Sequence, residues 1–320
     1  VIVDTNKLKP DWAGNDFLAQ VVNFLIGIKP IYGIMKQQAR KVLIKTAEKN
    51  GIPWRKNCQE LEQSNVRELL EKIANSDLIY PDYYRVPFHA YAEGNLCWKA
   101  AFEAESATYA MALRVWKNES LTWQEAHKRL RESFYQVIDA YLPDTITKIL
   151  DIGCSVGVST LALHHYYQAK QTTAIETTGL DLSPYMLTVA QVKDIKQEIK
   201  WVHQNAEDPK FAADSFDLVT LQFVAHELPR NATQAIFQEV FRILRPGGII
   251  AITDNNPAST VIQNLPPVLF TLMKSTEPWS DDYYTFALET ALQQTGFNYQ
   301  ITVPCDPRHR AIIASKPNLE

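Results

Sequence analysis

The stretch "ILDIGCSVGVST" at residues 149–160 restricts the possible folds more than any other in the chain. A short apolar run reaches Asp151 and Ile152, Gly153 and Gly157 bracket a turn, and the apolar segment "VSTLALHHYY" follows. A buried strand that feeds a glycine turn and then a helix N-terminus lets backbone approach a ligand closely and leaves free amide donors there. Such a unit belongs to an α/β sheet rather than to a bundle or a sandwich.

Downstream the pattern alternates in the same manner. Strands are expected near residues 148–152, 175–181, 199–203, 216–222 and 248–253, with helices near 157–168, 184–193, 231–244 and 281–295. Runs such as "FDLVTLQFV" and "GGIIAIT" are apolar without alternation, which suits strands covered on both faces. The glycine pair of "RPGGII" reads as a turn before the fifth strand. The final "FNYQITVPCDPRHRAIIASKP" holds two strand-like runs around a polar turn with Pro307 and reads as a terminal hairpin.

Residues before about 140 have a different texture, with helical periodicity and many aromatics in "NVRELLEKIANSDLI" and "WKAAFEAESATYAMALRVW". Thr122 and Glu125 in "TWQE" have capping-box spacing, so a helix is expected from there to about Tyr141, stopped by Leu142-Pro143-Asp144. The expected organisation is an all-helical accessory or lid region over residues 1–140 and an α/β domain over residues 141–320. Within the first part, "FLAQVVNFLIGI" at residues 17–28 reads as a buried or interfacial helix, too short to span a bilayer.

Three elements after successive strands form one ligand pattern. The glycine turn comes first. Asp181, at the end of "TTGLDLS", is placed to accept hydrogen bonds from both hydroxyls of a ribose. Asn205, Ala206 and Glu207 in "NAEDPKF" can frame an adenine edge. Ser155 stands where a dinucleotide fingerprint wants its second glycine, and no Gly-Lys-Ser or Gly-Lys-Thr of a phosphate loop follows. The set asks for an adenosine without a pyrophosphate.

The ordered motifs "ILDIGCSVG", "GLDLS", "NAED", "FDLVTLQFVAHEL" and "FRILRPGGIIAITD" resemble those of the class I S-adenosylmethionine-dependent methyltransferases, especially the small-molecule group that includes ubiquinone and menaquinone methyltransferases. The resemblance covers residues 146–319 and implies a Rossmann-like α/β core with a seven-stranded mixed sheet whose last strand is inserted antiparallel. It implies S-adenosyl-L-methionine as cofactor, with Asp151, Gly153 and Gly157 around the methionine moiety, Asp181 at the ribose, and Leu182 against adenine. Asn205, Ala206 and Glu207 fall along the adenine side and Phe223 beside the methyl-bearing sulfur. Asn205 stands where the family commonly has aspartate. Helices ahead of the core commonly serve as a lid in this family.

Methyl transfer draws its activation from the cofactor, so the protein aligns and desolvates the pair and removes a proton where the acceptor requires it. No metal follows from that scheme. His226 and Glu227, in "FVAHEL" after the fourth strand, are the catalytic candidates. His226 either exchanges a proton, if its pKa stays near about 6.5, or ties down its loop. Glu227 orients it or caps the next turn. Substrate-binding candidates are Tyr84, His89, Tyr91 and Trp98 in the aromatic front segment, and Asp254, Glu277, Trp279 and Tyr283 after the fifth strand. The aromatics line an acceptor pocket or pack helices, and Glu93, Glu103 and Glu105 form an acidic wall or a solvated face.

A formal net charge of −4 and the lack of a basic stripe speak against nucleic acid as the partner. The four cysteines are scattered, which favours a reducing, cytoplasmic setting over a disulfide framework or a zinc site. The expected partner is a small molecule, with aromatic, quinone-like or isoprenoid acceptors suggested by the aromatics and an amine by the acids. The competing readings are an NAD-dependent oxidoreductase and a noncatalytic binding protein with the same fold. Neither the methylated atom nor the oligomeric state follows from sequence.

Overall fold

The computed structural model describes residues 29–89, 91–265 and 276–318. The apolar run at 17–28 lies outside them. Seven strands form one sheet: β1 (Lys148–Ile152), β2 (Glu176–Asp181), β3 (Ile199–His203), β4 (Phe216–Gln222), β5 (Leu244–Asn255), β6 (Asn298–Pro304) and β7 (His309–Ser315). Their order is β3-β2-β1-β4-β5-β7-β6. The first five pair in parallel, while β7 runs antiparallel to both β5 and β6, as the terminal hairpin and the resemblance led one to expect.

Alternating residues of each strand build two cores. Leu150, Ile152, Leu180, Val219, Leu221, Ile250, Ile252 and Ile312 face α7 (Arg230–Ile243) and α9 (Leu288–Thr295) through Ile236, Phe237, Val240, Leu288 and Leu292. Ile149, Leu218, Ile249, Ala251 and Ile313 face the other way, against Phe134, Tyr135 and Ile138 of α4 (Trp123–Asp139) and Leu163 and Tyr167 of α5 (Val158–Gln168). Both faces are therefore dry, which explains the unbroken apolar strands; each such side chain contributes about 1.5–3 kcal/mol relative to exposure. Helix α4, on the N-terminal side of residue 140, is thus part of the sheet's cover. It begins with the expected capping box, Glu125 N–H on Thr122 Oγ1 at 3.3 Å and Thr122 N–H on Glu125 Oε2 at 2.8 Å.

The other front helices are α1 (Lys29–Lys49), α2 (Trp54–Gln63) and α3 (Trp98–Val115); α6 (Pro184–Lys193) follows β2, and α8 (Ser280–Tyr284) precedes α9. Three expectations are corrected. "NVRELLEKIANSDLI" makes only a 3-10 turn, Val66–Leu69, and one α-turn, Leu70–Ile73, before an irregular stretch. The helix expected over 281–295 is split into α8 and α9, because Thr285 Oγ1 donates to Asp281 O and Arg230 takes both Thr285 oxygens, at 3.3 and 3.0 Å. The glycine pair is a bulge inside β5: Phe216 pairs Leu244 but Leu218 already pairs Ile249, and Gly247 has φ 78°.

Among the described residues no helix is long and apolar enough to cross a membrane. Strand order reverses between β1 and β4, so the loops leaving their C-terminal ends diverge and open a crevice there.

Candidate active site

The floor of the crevice is the loop from β1 to α5. Gly153, Ser155 and Gly157 have φ of 70°, 50° and 78°, a left-handed run that curls the backbone back over the strand ends. Both glycines admit a close neighbour. A Cβ on Gly153 would lie 2.5 Å from Val224 Cγ2, and one on Gly157 would lie 2.5 Å from Trp201 Cη2. Asp151 is 1% exposed, and its carboxylate is used internally: Thr160 and Thr220 hydroxyls donate to it at 2.7 Å each and Gln222 Nε2 at 3.2 Å. Burial raises its pKa against those bonds and the nearby Arg131 charge. It braces the loop from below rather than facing the crevice.

Asp181 stands at the end of β2 as a buried carboxylate. Oδ1 accepts Ser183 N–H at 2.7 Å and Oδ2 accepts Ser155 N–H at 2.8 Å, so the acid ties the glycine loop to the N-terminus of α6. Burial lifts its pKa to about 6, against the pull of those amides and of the Tyr84 hydroxyl. Leu182 follows with its carbonyl accepting His203 Nε2–H at 3.0 Å. After β3, Asn205 Oδ1 accepts Glu207 N–H at 3.0 Å in a local turn and Ala206 is buried. The side-chain oxygen of Asn205 is thereby committed to its own loop.

Sequence reading missed what covers this side. Tyr80 hydroxyl meets His203 Nε2 at 3.2 Å, Tyr83 hydroxyl donates to Glu207 Oε1 at 2.6 Å, and Tyr84, assigned to substrate, reaches Asp181. Residues 80–84 therefore form a strap across the ends of β2 and β3. Arg131 was missed as well. It is 5% exposed on α4, donates from Nε to His127 Nε2 at 3.1 Å and from Nη1 to Gln222 Oε1 at 3.4 Å, and lies 5.3 Å over the Phe223 ring. The available signal was a charge three residues before Phe134 and four before Tyr135, on the apolar face of an amphipathic helix.

Phe223 leaves β4 with φ 62°, strain that clusters at working sites, and stacks edge-on to His309 at 4.8 Å. Just beyond it, His226 Nδ1 lies 2.8 Å from Asp254 Oδ1, and His226 N–H donates to Asp254 Oδ2 at 3.1 Å. Burial works against protonation of this imidazole, but Asp254, Glu277 and Glu227 together push its pKa up to about 10. The ordinary imidazole expected from sequence is thus replaced by one that holds its proton, because a buried carboxylate is bonded to it. Burial likewise raises Glu227 to about 8 and raises Glu277.

His89 Nε2 is 3.9 Å from both Glu227 Oε1 and Glu277 Oε1. The structure thus brings His89, His226, Glu227, Asp254 and Glu277 together. Tyr283 backs the cluster, 2% exposed, its hydroxyl on Asn255 O and its ring 6.3 Å from His226. Trp279 donates Nε1–H to Tyr83 O at 3.3 Å, linking cluster and strap. Tyr91 and Trp98 are not brought in. Tyr91 donates to Glu103 Oε2 at 2.7 Å, Trp98 packs on Phe102 and Tyr185, and both line an open groove of about 560 Å³ between the front region and Tyr185 of α6.

A methyltransferase domain family matches residues 150–252. A demethylmenaquinone methyltransferase of Staphylococcus aureus (strain JH9) is 32% identical over 157 residues, which are 48% of this chain and 61% of the relative. The chain thus spans less than two thirds of that curated relative's length. Among solved structures, a Haemonchus contortus phosphoethanolamine N-methyltransferase 2 in complex with S-adenosyl-L-methionine is similar at 20% identity and TM-score 0.44, over 58% of this chain and 53% of that one. An S-adenosylmethionine-dependent methyltransferase from Aquifex aeolicus is similar at 15% identity and TM-score 0.46, over 64% and 98%.

Proposed function

We propose that the chain transfers a methyl group from S-adenosylmethionine to a small organic acceptor, a reading supported by the match of residues 150–252 to a methyltransferase domain family. The observation that carries this reading is the pairing of two chemically different regions at one strand-end crevice. A carboxylate and a left-handed amide loop lie at β1 and β2, and a polar cluster lies at β4 and β5.

In this reading Asp181 accepts the ribose hydroxyls, while Leu182, Asn205, Ala206 and Glu207 flank adenine. The strap of Tyr80, Tyr83 and Tyr84 lies over the nucleoside. Gly153 turns the loop amides toward the methionine chain, Arg131 pairs with its carboxylate, and Asp151 and Gly157 hold the loop in shape. When bound, the sulfonium supplies an electrophilic methyl and leaves as a neutral thioether. Phe223 walls the sulfur from water. His226, fixed by Asp254, meets the acceptor together with Glu227, His89 and Glu277, and aligns it for in-line attack. Residues up to 140 act as the accessory lid, with α4 joined to the sheet.

The relative's demethylmenaquinone and the aromatic rings of Trp279 and Tyr283 on the acceptor side favour a phenolic or quinone-like acceptor. Incubation of the full chain with methyl-labelled S-adenosylmethionine and a metabolite extract, followed by mass analysis, tests the proposal. The expected product is a small labelled aromatic. Cofactor binding without label transfer to any metabolite would instead mark a noncatalytic binding protein.

A further inference from the structure

His89, His226 and Glu277 belong to three segments far apart in the sequence, yet one ligand atom from each lies within 4.8 Å of the others. Glu227 joins them, its Oε1 3.9 Å from His89 Nε2. We propose that His89, His226 and Glu277, with Glu227 beside them, bind one divalent transition-metal ion on the acceptor side of the crevice.

The donor set fits that class of ion. Two imidazoles with carboxylates suit first-row divalent metals, whereas calcium and magnesium sites are built from oxygen alone. The spacing fits as well. Tetrahedral ligands at about 2.0–2.1 Å from a metal stand about 3.4 Å apart. The separations of 3.9 Å from His89 to each glutamate need about half an ångström of closure, and the others, all within 4.8 Å, need at most about 1.4 Å.

Outer contacts of the kind that orient metal ligands are already in place. Asp254 holds His226 through Nδ1, so an ion would bind at Nε2 by displacing the proton carried there. The Ser280 hydroxyl donates to Glu277 Oε2 at 3.1 Å, and His89 N–H donates to Thr276 O at 2.9 Å, fixing one ligand's segment to another's. His89 also takes φ 46°, a left-handed conformation that is uncommon for a residue with a side chain. Side-chain exposures of 11% for His226 and 15% for Glu277, against 41% for His89, describe a shielded site with one open side, the arrangement of a metal that also receives a ligand from solution.

That position also narrows the substrate. An acceptor hydroxyl bound to the ion loses its proton to solvent; the oxygen then forms the bond to the methyl carbon while the carbon–sulfur pair returns to sulfur. This role rests on the methyl-transfer reading, whereas ion binding does not.

Full-length protein stripped with chelator and desalted should take up one equivalent of Co²⁺ with a visible d–d absorption band, and one equivalent of Zn²⁺ by elemental analysis. His89→Ala, at an exposed position, and Glu277→Gln should each weaken Co²⁺ binding by about tenfold or more. S-adenosylhomocysteine titrated into the same samples reports the fold and the methyl-transfer reading separately. The absence of a Co²⁺ band in wild-type protein, or wild-type Co²⁺ affinity in both variants, overturns the metal site. Loss of nucleoside binding with metal uptake intact counts only against methyl transfer.

Discussion

Tyr83 of the front region donates its hydroxyl to Glu207, after β3, across 2.6 Å. With Tyr80 on His203 and Tyr84 at Asp181, this contact makes the front segment one wall of the strand-end crevice, which the proposed reading gives to the nucleoside. A hydrogen bond to a charged group is worth about 1.5–3 kcal/mol. Tyr83→Phe is therefore expected to speed release of S-adenosylhomocysteine by about tenfold or more, read by stopped-flow fluorescence. An unchanged release rate would separate the strap from cofactor retention.

Asp181 gives a pH dependence with a definite sign. Burial raises its pKa to about 6, so below that pH the free protein carries a carboxylic acid where, in the proposed reading, ribose hydroxyls need an acceptor. Affinity for S-adenosylhomocysteine should rise about tenfold per pH unit up to about 6 and then level off. Stability moves the other way: the folded state holds this proton more tightly than the unfolded chain, so this group's contribution is greatest at low pH and is lost as pH rises through about 6. Calorimetric titrations from pH 5 to pH 8 check the first statement, and Asp181→Asn should flatten the profile.

Arg131 distinguishes the two ends of the ligand. Arg131→Met should weaken S-adenosylhomocysteine by about tenfold or more, as expected for loss of a charge-assisted bond, and leave 5′-methylthioadenosine, which lacks the carboxylate, unaffected. Equal losses for both ligands would mean that Arg131 supports only the fold.

Gly157 is a packing position with a left-handed backbone. Gly157→Ala places a methyl 2.5 Å from Trp201 Cη2 at φ 78°, so it should cost about 1–3 kcal/mol of stability. Chemical denaturation reads this directly, and a midpoint matching that of the wild type would contradict it.

The sheet was legible because its strands are apolar on both sides and bounded by glycines, acids and prolines, so periodicity and punctuation agreed at β1, β3 and β4. The break between α8 and α9 was not, since it depends on Arg230 reaching Thr285 from another helix. The same division applies to the site. Asp181 and His226 are visible from their places after strands, but the shift of His226 comes from Asp254, a partner that only tertiary packing supplies. Tyr83 sat among many tyrosines with nothing local to mark it, whereas Arg131 was marked only by its place on the apolar face of an amphipathic helix.

The most direct measurement is calorimetric titration of S-adenosylhomocysteine into the folded chain and into Asp181→Ala. The account predicts one site in the first and at least about tenfold weaker binding in the second, from loss of two bonds to a carboxylate. No binding to folded wild-type protein, or equal affinity in the two proteins, would contradict it.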